Sequence, residues 1–449
     1  MKIAEKDESY KVMLPELEKA RFGSHLILPF RVEGNKFRKD WADQMLTPVD
    51  LTTSDFTEIV QSMLSRDGRI SIGDCWRISR TVLFREMTDG ALDPEKVSLY
   101  VEKGDIRRGF SLTDSWLYVF HTHVAFLALG IFYEDISTLR DIVNPGHADS
   151  SAIFGYEDAS GSQTFVIENW INNLSSKAGL QSFFSTKGSP FLEAFIHSFG
   201  LVPKRFPDLD VMKQASFNIH IMEPFHNPVR DSSEEDIRFV YSVIDHDLGD
   251  YRWGSCISSQ SLSTITAERS MDLDRKMQLQ AGSDLVIVML MLYEKYTCLR
   301  YIDVIATTDL HHLKEIRKLK TEMLEFQAYG TLTPANLSRW HNVRNIYGAL
   351  LDVNDIPEAI KDVDHKISIL SEYQRKIESR KLERMERLVT AFGAFSILSS
   401  VLSIIESLTK GSAWSVPALI LTALVLLVVY STQSSEEDIE NGMRHMDHF

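Results

Sequence analysis

The chain has 449 residues, 44% of them hydrophobic and 25% charged, with a formal net charge of −15. That length allows two or three domains with proper cores, and the acidic balance argues against a nucleic-acid polymer as partner while suiting the attraction of cations. Cys75, Cys256 and Cys298 stand far apart with no CxxC pair, so neither a disulfide framework nor a zinc site is expected and a reducing compartment is the simpler reading.

From the N-terminus, Met1 to Glu8 carry no apolar core of the signal-peptide kind, so export is not expected. Residues 24–32 predict a strand and 54–66 a helix, with Asp55 and Glu58 early in it. The aromatic and β-branched run 115–133 predicts two strands joined by a turn at His121-Thr122-His123. A short helix over 135–143 should end at Asn144-Pro145-Gly146, with a loop over 149–161. Residues 217–222 and 237–243 read as further strands joined by 224–235, and 245–263 as a polar, glycine-containing stretch. From Met271 the chain turns helical. The apolar segment 284–293 is soon interrupted by Glu294, Lys295, Arg300 and Asp303, so it predicts a buried helix rather than a membrane span. Thr333-Pro334 reads as an N-cap followed by proline at the first helical position. An α/β domain over 1–265 and a helical subdomain over 266–355 follow.

No proline falls between Pro357 and Pro417. Ile356, Ile360, Val363, Ile367 and Leu370 recur at gaps of four and three, a seam that continues through Gln374, Ile377, Lys381, Arg384 and Leu388. A stalk helix over 356–387 is expected, and if it continues to Leu408 it would be about 80 Å long. A break near Arg387 is the alternative.

Residues 388–408 contain one ionisable group, Glu406, and at helical rise cover about 30 Å, while 414–432 contain no charge at all and are flanked by Trp414 and Tyr430. The short connection 409–413 makes the pair a transmembrane hairpin, followed by an acidic tail over 433–449. The basic cluster Arg375, Lys376, Arg380, Lys381, Arg384 and Arg387 places the stalk, and so both termini, on the cytosolic side of a bacterial inner membrane. The expected fold class is therefore an α+β cytosolic domain, a long stalk helix and a C-terminal two-helix transmembrane hairpin. Thr390, Gly393, Ser396, Ser400, Ser403 and Ser407 lie along one face of the first span in register with the seam. They are read as pore lining, with close helix packing as the alternative. Glu406 and Lys410 would stand at the pore mouth, or pair with each other at i,i+4.

This arrangement resembles the CorA family, most strongly over 357–432. The resemblance implies a pentamer of this chain in a lipid bilayer, its first span lining a divalent-cation channel and its second surrounding it. The family's Gly-Met-Asn motif is missing: its place reads Glu406-Ser407-Leu408-Thr409-Lys410-Gly411-Ser412, and Asn441-Gly442-Met443 falls in the tail. Selective magnesium transport, the alternative function, is put in doubt. The segment Leu117 to Leu127 is similar to a hairpin in CorA-like proteins encoded beside type III CRISPR systems. That branch implies a channel gated by a nucleotide messenger, an S-adenosylmethionine–AMP conjugate, acting in antiviral defence.

Asp245, Asp247 and Asp250 around His246 are a candidate divalent-cation site, with a solvated acidic turn as the commoner explanation. Arg252, Trp253 and Ser255, with Gly254 between, offer a cation, a stacking ring and a hydroxyl to a nucleotide, against the simpler reading of a loop with one buried tryptophan. His121 and His123 are two imidazoles without a third ligand, which favours a structural role. No P-loop, GxSxG, HExxH or strand-borne GxGxxG occurs, so no enzyme activity and no required cofactor are expected. A membrane-anchored enzyme or scaffold is the reading from another class.

Overall fold

Strand-forming stretches rich in β-branched and aromatic residues dominate the first 270 positions, and helices the remainder. The computed structural model describes residues 8–409 apart from 34–35, 52, 145–151, 184–189, 229–235, 246–249 and 308–312. The first part runs α1 (Glu8–Leu17), β1 (Arg21–Arg31), α2 (Lys39–Met45), β2 (Thr47–Val49), α3 (Glu58–Leu64), β3 (Gly73–Ile78) and α4 (Arg80–Thr88). There follow β4 (Ser98–Lys103), β5 (Ile106–Leu112), β6 (Ser115–Phe120), β7 (Val124–Tyr133) and α5 (Ile136–Val143). Next come β8 (Ile153–Asp158), β9 (Gly161–Phe165), α6 (Ile167–Ala178), β10 (Gln181–Ser182), β11 (Phe195–Val202) and α7 (Leu209–His220). The sheet is completed by β12 (Arg238–Asp245), β13 (Asp250–Ile257) and β14 (Ser261–Ala267). The remaining helices are α8 (Leu273–Ala281), α9 (Asp284–Thr307), α10 (Leu313–Glu325), α11 (Pro334–Leu337), α12 (His341–Val353) and α13 (Ile356–Thr409).

All fourteen strands among the described residues join one sheet whose main path is β12-β13-β14-β11-β1-β7-β5-β4-β8-β9. From β7 a branch runs through β6 and β3 to β2, and β10 pairs with β1. The pairing of β11 with β14 is parallel, and the other described pairings are antiparallel. Central β1 is buried from Phe22 to Phe30, because alternate side chains feed two cores. Leu26, Leu28 and Phe30 enter one with side chains of α1, α4 and α6, and Ile27 enters the other with α8, α9 and α12. In α9 every residue from Leu285 to Glu294 is buried, which explains a helix apolar all round.

Several expectations hold in place and kind. The strands of 115–133 meet at the expected turn, α5 is capped by Asp135 accepting the Ser137 N–H and ends at Asn144, and Pro334 opens α11. Others are corrected. Residues 217–220 end helix α7, which begins where the Asp208 side chain accepts the Asp210 N–H and which buries Val211, Met212, Ala215 and Ile219 at helical spacing. The expected loop over 149–161 contains β8, which turns into polar β9 through Asp158 and Gly161 at φ 115. The polar stretch 245–263 holds β13 and the start of β14, whose serines and threonines are buried among their own pairs.

The chain divides into two compact units, Met1–Asp309 with Arg317–Ile367, and Leu310–Ile316 with Ser368–Phe449. The whole sheet belongs to the first. Helix α13 is one helix of 54 residues with no break at Arg387. In the first unit its seam residues Ile356, Val363 and Ile367 join the core. In the second, Arg375, Lys376, Arg380, Lys381, Arg384 and Arg387 sit on turns that are mostly exposed.

Among the described residues no helix is long and apolar enough to cross a membrane. This corrects the fold class expected from the sequence. The transmembrane hairpin, the ion-channel reading built on it and the multi-pass placement in a bacterial inner membrane with both termini cytosolic are all withdrawn. Residues 388–408 belong to the same helix as the charged turns before them rather than to a separate one. The second expected span, 414–432, and the tail beyond it lie outside the described residues.

Candidate functional site

In the first unit, charged side chains converge on a cleft of about 890 Å³ beside β5 and the end of β7. Its geometry follows from local sequence. Gly104, at φ 60, turns β4 back into β5, whose neighbouring Arg107 and Arg108 leave opposite faces of the strand and both belong to the cleft lining. Arg107 lies over the Tyr100 ring at 3.9 Å, and its Nε donates to Glu102 Oε2 at 3.0 Å. Arg108 donates from Nη1 to Asp141 Oδ2 at 2.6 Å and from Nε to Asp135 Oδ2 at 3.2 Å.

Arg80 enters from the first turn of α4. Its backbone N–H donates to Asp114 Oδ1 at 3.0 Å and its Nη2 to the Pro94 carbonyl at 2.8 Å. Its Nε is buried and has no hydrogen-bond partner among the described residues. Arg21 closes one end by donating to the Met271 carbonyl at 2.8 Å. With Lys19, five basic side chains face three acidic ones, Glu18, Glu134 and Asp135. Phe84, Leu99, Phe110 and Leu112 supply apolar wall. In a chain of net charge −15 the lining is richer in basic than in acidic groups, with Lys19, Arg107 and Arg108 held by Glu16, Glu102 and Asp141 beside it, and guanidinium forks beside apolar surface suit an anion that also carries a planar group.

The residues singled out from sequence fall elsewhere. Asp245 and Asp250 oppose each other where β12 meets β13, and Asp247 lies outside the described residues. Arg252 is exposed and Trp253 half-buried on adjacent, opposite-facing positions of β13. Ser255 is buried, its hydroxyl 2.7 Å from Thr264 Oγ1. Gly254 accommodates Met212 of α7, whose Cε would lie 2.6 Å from an added Cβ, so packing accounts for this glycine. None of the four lines the cleft. His121 is exposed and His123 half-buried at φ 63, its imidazole pushed down by burial and then by Arg300. Among the described residues no group of three or more His, Cys, Asp or Glu side chains is placed to hold a metal.

On α13, the Thr390 and Ser400 hydroxyls donate to the carbonyls of Glu386 and Ser396, each at 2.8 Å. A Cβ at Gly393 would meet nothing within 4 Å, and Ser396 and Ser403 are exposed. The side chains of Glu406 and Ser407, and all of Lys410, lie outside the described residues.

Two buried polar groups were not apparent from sequence. His25 and His197 sit side by side on β1 and β11, Nδ1 to Nδ1 at 3.0 Å, and burial pushes both imidazoles down, His197 to about 3. One ring donates and the other accepts, and burial disfavours charge on either. Glu294 of α9 is buried, its Oε1 accepting the Tyr347 hydroxyl at 2.6 Å and the Leu332 N–H at 3.1 Å. Neither site has a motif, since their partners lie far away in the chain.

No protein-family model matches the chain, and no curated protein sequence matches it.

Proposed function

We propose that this chain is a ligand-responsive module rather than an enzyme: it takes an anionic, nucleotide-like small molecule in the arginine-lined cleft and relays occupancy to α13. The observation that supports this is the gathering of Arg21, Arg80, Arg107, Arg108 and Lys19 around one cleft of a strongly acidic chain. Phosphate oxygens fit guanidinium forks, and a base fits the apolar wall. The resemblance noted in the sequence names the first ligand to try, the S-adenosylmethionine–AMP conjugate.

A second copy of the chain is the partner proposed for the later turns of α13. There Leu382, Val389, Phe392 and Ile397 are each at least 65% exposed, too much large apolar surface for one helix to leave in water. Glutamates at 372, 378, 383 and 386 alternate with the arginines and lysines of the same turns, so two copies can pair opposite charges along their length.

Thermal denaturation with the conjugate, AMP, S-adenosylmethionine or inorganic phosphate tests the ligand. A hundredfold excess over Kd should add about 2.7 kcal/mol to stability. Arg80→Met and Arg107→Gln, which remove guanidinium contacts, should each weaken binding by about tenfold to a hundredfold. No shift with any of the four compounds, or shifts in both variants as large as in the wild type, would contradict the reading.

A further inference from the structure

The geometry points to Glu294 as a proton-operated latch that holds the segment Thr331–Leu332 and helix α12 against α9. Three elements converge on this one carboxyl, which is 2% exposed. Beneath it lies α9. Above it, the π turn Phe326–Gly330 ends in a glycine packed so closely that an added Cβ would lie 2.5 Å from Tyr293 Oη. That close approach delivers the Leu332 N–H to Glu294 Oε1 at 3.1 Å. From the third side, fully buried Tyr347 of α12 donates its hydroxyl to the same oxygen at 2.6 Å.

The next residue strengthens the tie. Lys295 Nζ donates to Asn354 Oδ1 at 2.8 Å, and Asn354 is the C-cap of α12, two residues before α13 begins. What α9 holds is therefore the helix that leads into α13.

Burial pushes the Glu294 carboxyl up to about 7, against the smaller opposing pull of the Tyr347 and Leu332 donors. The titratable groups facing it are Tyr293 and Cys298 on its own helix and Tyr347 on α12, all neutral at pH 7 because burial raises each of them. Lys295 is turned to Asn354, and the segment Thr331–Leu332 offers only backbone and a threonine hydroxyl. The carboxyl thus changes charge near neutral pH with two donors and no cation among the groups that shift it.

The sign follows from linkage. With its pKa raised in the closed form, the closed form holds a proton that an opened, hydrated form gives up. Closure is favoured fully at low pH, is weakened as pH rises toward 7, and changes no further above it. Ionisation favours admitting water, which means lifting Thr331–Leu332. The latch is independent of the ligand in the cleft.

Hydrogen–deuterium exchange of the peptide containing Leu332, in the intact chain and corrected for intrinsic exchange, reads the opening. Its protection should fall about tenfold between pH 6 and pH 8. Glu294→Gln should remove that dependence. Tyr347→Phe, which deletes a donor to the carboxylate, should move the fall to higher pH. A wild-type protection that is flat with pH, or the same fall in Glu294→Gln, overturns the latch. If Glu294→Gln does not fold, an unmoved midpoint in Tyr347→Phe overturns it.

Discussion

Arg108 does two jobs, and they separate experimentally. Its Nη1 neutralises Asp141, whose side chain is 3% exposed and whose other basic neighbour, Lys103, stands at 3.8 Å. Its Nε, by contrast, lies on the cleft side with exposed Asp135. Removing the guanidinium leaves a buried carboxylate poorly paired, so Arg108→Ala should cost about 3 kcal/mol in chemical denaturation. Arg80→Met should leave stability within about 1 kcal/mol, since it gives up one carbonyl contact and leaves no buried charge. Equal losses in the two variants would mean that the Arg108–Asp141 pair contributes no more than a surface ion pair. At this scale the sequence revealed what is local. The short helix over 135–143 and the helix opened by Pro334 could be read from short-range spacing. The His25–His197 contact and the Tyr347–Glu294 bond could not, since they span 172 and 53 positions and depend on strand pairing and helix packing.

Element by element, legibility tracked the strength of periodicity. The heptad-like spacing from Ile356 predicted a long helix, and α13 is one. The apolar block of α9 and the aromatic strands β6 and β7 were equally plain. Helix α7 was hidden because its last turns, Phe217 to His220, read alone as a short apolar run. Strands β13 and β14 were hidden because Ser255, Ser261, Ser263, Thr264 and Thr266 are polar yet buried, Ser255 pairing with Thr264 and Ser261 with His220 of α7. The apolar side chains of 388–408 invited a membrane span that the described helix does not provide. Their exposure instead leads to a prediction about association. Sedimentation of the intact chain should show self-association that weakens at least about tenfold when Val389, Phe392 and Ile397 are changed to glutamine, since each forfeits roughly 1.5 kcal/mol or more of apolar burial. A monomer that floats with phospholipid vesicles would assign the face to lipid, and a monomer with no such affinity would leave it uncovered. Either result rejects the second copy as its partner.

For the molecule as a whole, charge is distributed against its average. The chain is acidic, yet the cleft gathers arginines from β1, α4 and β5, three elements brought together only when β1, β7 and β5 pair in that order. No linear motif could announce such a site, because Arg21, Arg80 and Arg107 are separated by more than a full element each. Arg252, Trp253 and Ser255 suggest a nucleotide set for the opposite reason, that they are adjacent in the sequence. On a strand, neighbours such as Arg252 and Trp253 face opposite ways.

Calorimetric titration of the S-adenosylmethionine–AMP conjugate into the intact chain, at two salt concentrations, tests most directly whether the cleft binds an anion. Saturable binding of one molecule per chain, weakened by salt and at least about tenfold weaker in Arg80→Met, is the predicted result. Absence of heat and of saturation in the wild type, or an affinity indifferent to both salt and Arg80, would contradict it.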